Sequence, residues 1–452
     1  MTMSTAPRTA TPDSAEARVA AIREAFPSGG LFADKDWLLS PQPLRLPKKV
    51  VAELERLGHQ LSVFQRAADT LYRQSVKGKV PAWIAEYLDA GKPRELIEQA
   101  RNPALQDELP RVIRPDLLWT DDGFAITELD NLPGGIGLTA WLNLVYSKFE
   151  PGVVGGAEGM FEGFSSILPH GADILVSKES ADYRPEMDWL VGQIAERGLG
   201  GGASYEVQCA ETYAPRGRDV YRFYELFDLD NVPPSDAIFD AAAAGDLSLT
   251  APHKHYLEEK LWSALFWSRP LRDLWGAQMR SNYIERLQRY FPFSWVIDPA
   301  PVPHHAELPK LGINDWRQLG EFSQKERALV LKISGFSELA WGSRSVRIGE
   351  DMPADEWAAA VDVAIDDFPQ RPWVMQEFKR ARVFEHPFWD EAAGEIRSKQ
   401  VRARLCPYYF LSGENPAKPK VKLAGVLATL VPADKKIIHG MSDGILVPCA
   451  VE

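Results

Sequence analysis

Charged and apolar residues alternate through RPDLLWTDDGFAITELDNLPGGIG, Arg114 to Gly137. Successive side chains of a strand point to opposite faces, so Arg114 and Asp116 share a face, as Phe124, Ile126, Glu128 and Asp130 do. A hairpin closed by Thr120 to Phe124 sets Asp116 opposite or diagonal to Glu128 and brings Arg114 near Asp130. Facing carboxylates repel, and a hard cation such as Mg2+ relieves that repulsion while keeping positions open for phosphate oxygens. Asp116, Glu128 and Asp130 are therefore candidate metal ligands in a nucleotide-phosphate site. The same pattern also fits an acidic hairpin whose charges meet only water. Gly134, Gly135 and Gly137 follow, and would let backbone approach closely at a helix start.

A second set of residues lies downstream. In ALVLKIS, Ala328, Val330 and Lys332 share a face, and Gly335 and Gly342 bracket the loop that follows. Such a loop can fold over nucleotide phosphates with its amides inward, or it can be an ordinary hairpin connection. It is not a Walker loop, because GxxxxGK is missing and the lysine precedes the glycines. APHKHYLEEKLWSALFW reads as a helix carrying Lys260, with Leu257, Leu261, Ala264 and Leu265 on its packed side. RPWVMQEFKRARVF is a strand with Gln376, Glu377 and Phe378 at its centre, and VRARL puts Arg402 and Arg404 on one face. His253 and His255 sit in a Pro-led loop without a third ligand, which argues against a metal. His304 and His305 fall in a Pro-rich connection that marks a boundary between lobes, and His439 in a Gly-flanked turn reads as structural. Cys406, between Leu405 and Pro407, reads as a core residue and not a nucleophile.

These residues need a large scaffold. The chain has 452 residues, 45% of them hydrophobic and 25% charged, which suits two or three packed units. A net charge of -12 argues against nucleic acid as the main partner and tolerates cationic ones. Three widely spaced cysteines without a CxxC pair suggest neither a disulfide framework nor a zinc site. No apolar run reaches signal-peptide or membrane-span length, so a soluble cytoplasmic protein without membrane partners is expected.

Residues 1–15 read as a flexible tail and 16–105 as a helical region, with Val50, Val51, Leu54, Leu57, Leu61 and Phe64 on one stripe. Strand and helix alternate from Ala172 to Leu229, the pattern of a small α/β layer. Strands and one amphipathic helix, DEWAAAVDVAIDDF, dominate the rest, and VKLAGVLATLVP reads as the last long strand.

The order of these features resembles a circularly permuted ATP-grasp ligase, in particular the synthetase portion of glutathionylspermidine synthase. In that family an Arg and an Asp precede an E-x-N metal motif by about a dozen residues, where Arg114, Asp116, Glu128 and Asp130 stand here, followed by Asn131. A small α/β segment follows, then an Asn-Lys pair whose place is taken by Glu259 and Lys260. A second lysine before a Gly loop is matched by Lys332 and SGFSELAWG. WVMQEF is similar to the hinge strand that borders adenine, and VRARL falls where a basic residue meets phosphate. The resemblance spans roughly Pro110 to Pro448. Asp130 departs from the family's Asn, and LPGG from its Thr-Pro-Thr run.

The resemblance implies an α/β (α+β) fold of permuted ATP-grasp type. Its metal-binding part would lie in 106–150, a small pre-ATP-grasp-like domain in 151–250 and the nucleotide-binding lobes in 251–452. It implies ATP and Mg2+ as cofactors, with metal held by Asp116, Glu128, Asp130 and Asn131, and Arg114 as the catalytic cation. Lys260, Lys332, Gly335, Gly342, Gln376, Glu377, Phe378 and Arg404 would bind the nucleotide. The implied reaction activates a carboxylate as an acylphosphate, which an amine attacks to form an amide, with ADP and phosphate released. The partners would be a small-molecule or peptide carboxylate and an amine, for which the acidic charge makes a cationic one plausible. The resemblance also suggests a homodimer. A catalytically silent nucleotide-binding protein and an ATP-dependent phosphotransferase are the alternatives.

Overall fold

The computed structural model describes residues 14–28, 31–32, 37–303, 305–340, 342, 344–413, 415, 418–438 and 443–452. His304, His439 and all but the last two residues of the 1–15 tail lie outside the described residues. The fold is mixed α/β, with three sheets among the described residues.

The largest sheet has seven strands, in the order Leu44–Leu46, Ile445–Val451, Lys420–Pro432, Glu395–Ser412, Val112–Thr120, Gly123–Asp130, and Val383–Asp390 pairs with one half of Glu395–Ser412. It is antiparallel except where Leu44–Leu46 joins Ile445–Val451. A four-stranded antiparallel sheet contains Arg347–Ile348, Leu329–Ile333, Trp373–Glu377 and Ser294–Val296. The third sheet is parallel, in the order Tyr205–Cys209, Ala172–Val176, Val220–Phe223, Leu249–Thr250. Its central strand Ala172–Val176 is buried at every position because both faces are covered, whereas the edge strand Tyr205–Cys209 is only partly buried after Tyr205 and carries Glu206 and Gln208.

The helix Lys48–Val76 buries Val51, Leu54, Leu57, Leu61 and Phe64 along its expected stripe. Phe64 stacks on Trp275 with ring centroids 5.3 Å apart, which joins this helix to the helix Arg272–Gln278. The lobe has its own core around Trp295, Leu331, Trp357 and Met375. No described helix is long and apolar enough to cross a membrane.

Several elements differ from the sequence reading. VKLAGVLATLVP is the last long strand, Lys420–Pro432, but a shorter strand not foreseen in the sequence, Ile445–Val451, follows it and joins the sheet beside Leu44–Leu46. Leu44–Leu46 and Ser294–Val296 are three residues each, too short to show a periodicity of their own, and they exist because a partner strand supplies their hydrogen bonds. Lys260 is not inside a helix. It caps a short helix, Leu261–Trp267, that begins just after it. The chain before it is fixed by side chains: Arg222 donates to the Ala251 carbonyl (3.0 Å), Lys254 to Asp69 (2.9 Å) and Tyr256 to Asp69 (2.7 Å). His253 lies between Gln99 (2.9 Å) and Tyr224 (3.1 Å), and His255 contacts Asp89 (2.8 Å), so both rings belong to this packing.

Candidate active site

The hairpin pairs as its letters suggest, with Asp116 opposite Glu128 and Arg114 opposite Asp130. The turn is tighter than expected, Thr120 meeting Gly123 directly. One expectation fails: Phe124 and Ile126 do not share a face with Glu128 and Asp130. The register shifts between Asp116 and Leu117, leaving Thr127 as an extra residue opposite them. Such a bulge inverts the alternation of its strand. Phe124 and Ile126 then enter the core beside Leu117 and Trp119, while Glu128 and Asp130 turn to the face carrying Arg114 and Asp116.

The bulge also frees a carbonyl. Lys332 Nζ, from the four-stranded lobe, donates to the Thr127 carbonyl at 2.6 Å and to Gln376 Oε1 at 3.0 Å. Lys332 and Gln376 are on neighbouring strands, Val374 lying opposite Lys332, so the lobe delivers both to one point. Burial pushes the Lys332 ammonium down to about 8; Glu128 opposes that shift and Lys260 adds to it.

Charges of both signs interleave here. Asp116 is gripped by Arg404 (3.0 Å) and Arg114 (3.2 Å), which hold its carboxyl below the usual range against the cost of burial. Arg114 also reaches Asp130 (3.0 Å) and the Gly134 carbonyl (3.2 Å). Burial raises the Asp130 carboxyl, with Arg114 opposing and Glu128 reinforcing that shift. Lys260 Nζ pairs with Glu128 at 2.7 Å and touches the Ala340 carbonyl at 3.3 Å. Cys406 Sγ lies 3.4 Å from Asp116, and burial pushes its thiol up to about 12, which keeps it protonated and unreactive.

All these groups except Cys406 line one cleft of about 420 Å³ between the large sheet and the lobe. Every residue singled out from the sequence as a ligand or catalytic group borders it: Arg114, Asp116, Glu128, Asp130, Asn131, Lys260, Lys332, Gly335, Gly342, Gln376, Glu377, Phe378 and Arg404. Arg402 does not; its guanidinium donates to the Ala433 carbonyl (2.8 Å) and to the Ala381 carbonyl. Glu377 is turned toward Lys310 (2.7 Å) and Lys379 (3.0 Å). The amides of Glu377 and Phe378 are committed to the Phe293 and Ala328 carbonyls (2.8 and 2.9 Å). Gly335 is required by space, since a Cβ there would come within 2.9 Å of the Glu258 carbonyl oxygen.

The expected metal ligands do not form a closed cage. Among the described residues no three His, Cys, Asp or Glu side chains gather as a metal-binding group. Asp116 is enclosed by arginines, and Asn131 is spanned by Gln65 and the Leu257 carbonyl (3.0 Å). Glu128 and Asp130 keep 40% and 30% of their side chains exposed. Mg2+ commonly takes only one or two carboxylates and completes its shell with phosphate and water, so this donor pair fits it.

The sequence reading missed the far wall of the cleft. Tyr183 follows the strand Ala172–Val176, and Glu225 and Phe227 follow Val220–Phe223. They lie beyond the carboxyl ends of parallel strands, where open α/β sheets hold their ligands. That rule was the available signal. Glu258 joins this wall, paired to the fully buried Arg222. Burial first, and then repulsion from Glu258, raises Glu225 well above the carboxylate range, while burial raises Glu258 against the opposing pull of Arg222.

Any anion held against Lys332 in this cleft, an ATP phosphate for instance, is expected to bind more weakly as pH rises through about 8, where Lys332 gives up its proton. Calorimetric titration with ATP across neutral to alkaline pH checks this. Lys332→Arg, which stays charged, should flatten the dependence.

No protein-family model and no curated protein sequence matches the chain. Solved structures do. A glutathione synthetase-like effector from Globodera pallida, in its apo form, aligns over 98% of each chain with a TM-score of 0.57 at 11% identity. A provisionally named gamma-glutamylcysteine synthetase from Methylobacillus flagellatus aligns over 80% of this chain and 85% of its own, with a TM-score of 0.37 at 10% identity. At such identity the first likeness concerns fold alone: the chain has the fold of that glutathione synthetase-like protein.

Proposed function

We propose that the chain is an ATP-dependent carboxylate-amine ligase of permuted ATP-grasp type, forming an amide through an acylphosphate and releasing ADP and phosphate. The observation that carries this reading is the convergence of Arg114, Lys260, Lys332 and Arg404 with Glu128 and Asp130 on one cleft between two sheets. Phosphoryl transfer asks a protein mainly for positioning and for charge neutralisation, and this set offers both. Glu128 and Asp130 would hold Mg2+, which neutralises phosphate charge when bound. Asp116 fixes Arg114 and Arg404 in place. Lys260 and Lys332 face the phosphates, Gln376 to Phe378 border the adenine, and the turn from Gly335 to Gly342 excludes water. The acidic wall at Glu225 and Glu258 suits an amine acceptor. In this reading 106–150 and 251–452 form the ATP-grasp part, 151–250 the pre-ATP-grasp-like domain and 16–105 a helical support. The cytoplasmic location and the homodimer belong to the same proposal.

One observation favours a second reading, a silent nucleotide-binding protein. Without ligands the cleft neutralises itself, with Asp116 held by two arginines and Glu128 by Lys260. ADP release measured with ATP, Mg2+ and pooled carboxylates and amines separates the two. Amine-dependent release is expected. ATP affinity without turnover across the pool would favour the silent reading, and a stable phosphorylated hydroxyl product would indicate a phosphotransferase.

A further inference from the structure

Outside the cleft, the turn after the helix Trp83–Asp89 carries a lysine that no part of the proposed reaction uses. Lys92 Nζ lies 2.5 Å from Glu259 Oε1, and each side chain is only 1% exposed. Neither residue borders the cleft. The other oxygen of Glu259 accepts from the Ser334 hydroxyl, and that hydroxyl in turn accepts from the Leu261 amide (2.9 Å). The Ser334 carbonyl accepts from the Lys260 amide (3.0 Å). One buried charge pair therefore clamps two backbone segments together: Glu259 to Leu261, which carries Lys260, and Ser334 to Phe336, which opens the loop after Lys332.

The packing around the pair is tight. A Cβ on Gly335 would meet Glu259 Cδ at 3.0 Å, and Lys92 Nζ lies 5.9 Å from the Phe336 ring centroid, in reach of its face. The turn itself is pinned to the lobe, because Gly91 has φ +73° and a Cβ there would sit 1.8 Å from the Gln370 carbonyl oxygen. Glu259 occupies the place where the resemblance expects Asn. An acid buried there needs a cation, and Lys92 is that cation.

We infer that Lys92 is a positioning residue: through Glu259 and Ser334 it sets the separation of Lys260 from the Gly335 turn, and so the spacing of the phosphate-facing groups. This rests on the nucleotide reading of the cleft, and its test separates the two. Removing only the cation strands a buried carboxylate, whereas removing both charges and keeping the acceptor does not. Lys92→Met is expected to weaken ATP binding about ten- to a hundredfold by calorimetry, the range found when a group supporting a metal ligand is removed. The double variant Lys92→Met/Glu259→Gln, whose amide oxygen still accepts from Ser334, should recover wild-type affinity.

Hydrogen exchange supplies a readout that needs no nucleotide. The Lys260 and Leu261 amides, both bonded to Ser334, should exchange faster in Lys92→Met and at the wild-type rate in the double variant. Unchanged ATP affinity or unchanged exchange in Lys92→Met overturns the inference. If wild type binds no nucleotide, the ligase reading fails and the exchange result alone decides the role of Lys92. If Lys92→Met does not fold, the double variant decides: wild-type exchange supports positioning, and failure to fold makes the pair a folding determinant and overturns it.

Discussion

Glu128→Gln should abolish amine-dependent ADP release, a loss on the order of a hundred- to a thousandfold or more, while the protein remains folded. Gln has the shape of Glu, and it can still accept from Lys260 Nζ, which lies 2.7 Å from the carboxylate. What it removes is one negative charge from the pair that faces the cleft. Asp130 remains, but its charge is already offset by Arg114 at 3.0 Å, so a single carboxylate does not replace the one removed. Circular dichroism and thermal melting establish the fold, and a coupled ADP assay reads turnover. Affinity for ATP without metal should hold or rise, since Lys260 loses a competing anion. Full ADP release by the variant would remove Glu128 from the metal assignment.

Lys332→Ala should weaken ATP binding by on the order of a few kcal/mol. Its ammonium is buried, so whatever it contacts is felt at low effective dielectric. The substitution also leaves the Thr127 carbonyl and Gln376 Oε1 without their donor. A stability measurement must therefore accompany the affinity. Lys332→Met, which fills more of the space, should show the same affinity loss with less destabilisation. Unchanged affinity in both variants would mean that Lys332 serves only to join the two sheets.

Much of the cleft was legible because charged residues interrupt strands that otherwise read as apolar. Arg114, Asp116, Glu128 and Lys332 stand out against such neighbours, and the pairing of Asp116 with Glu128 and of Arg114 with Asp130 lies within what their spacing suggests. The inversion at Thr127 was not legible, because nothing local to FAITELD distinguishes a regular strand from one with an extra residue. That choice depends on Val112–Thr120, on Glu395–Ser412 behind it, and on a lysine about two hundred residues away in sequence. Lys260 was placed inside a helix for a similar reason: apolar spacing runs through YLEEKLWSAL, but the preceding turn is held by Asp69 and Asp89 from two N-terminal helices and by Lys92 from the turn after the second. Glu225 was overlooked because a carboxylate after a short strand looks like any loop residue until the parallel sheet is assembled.

The bulge at Thr127 makes the site a matter of parity. The strand Gly123–Asp130 must contribute two large apolar side chains to the core and two acids to the cleft, and all four occupy even positions in sequence. A regular strand cannot divide them, since even-numbered residues would all face one way. A single unpaired residue does so, and the carbonyl it exposes is the one Lys332 finds. Asp121 and Asp122 lie outside the paired residues, whereas losing one residue at 127 would exchange core and cleft along half a strand. Here the position of an insertion, and not only the identity of a side chain, is a functional residue.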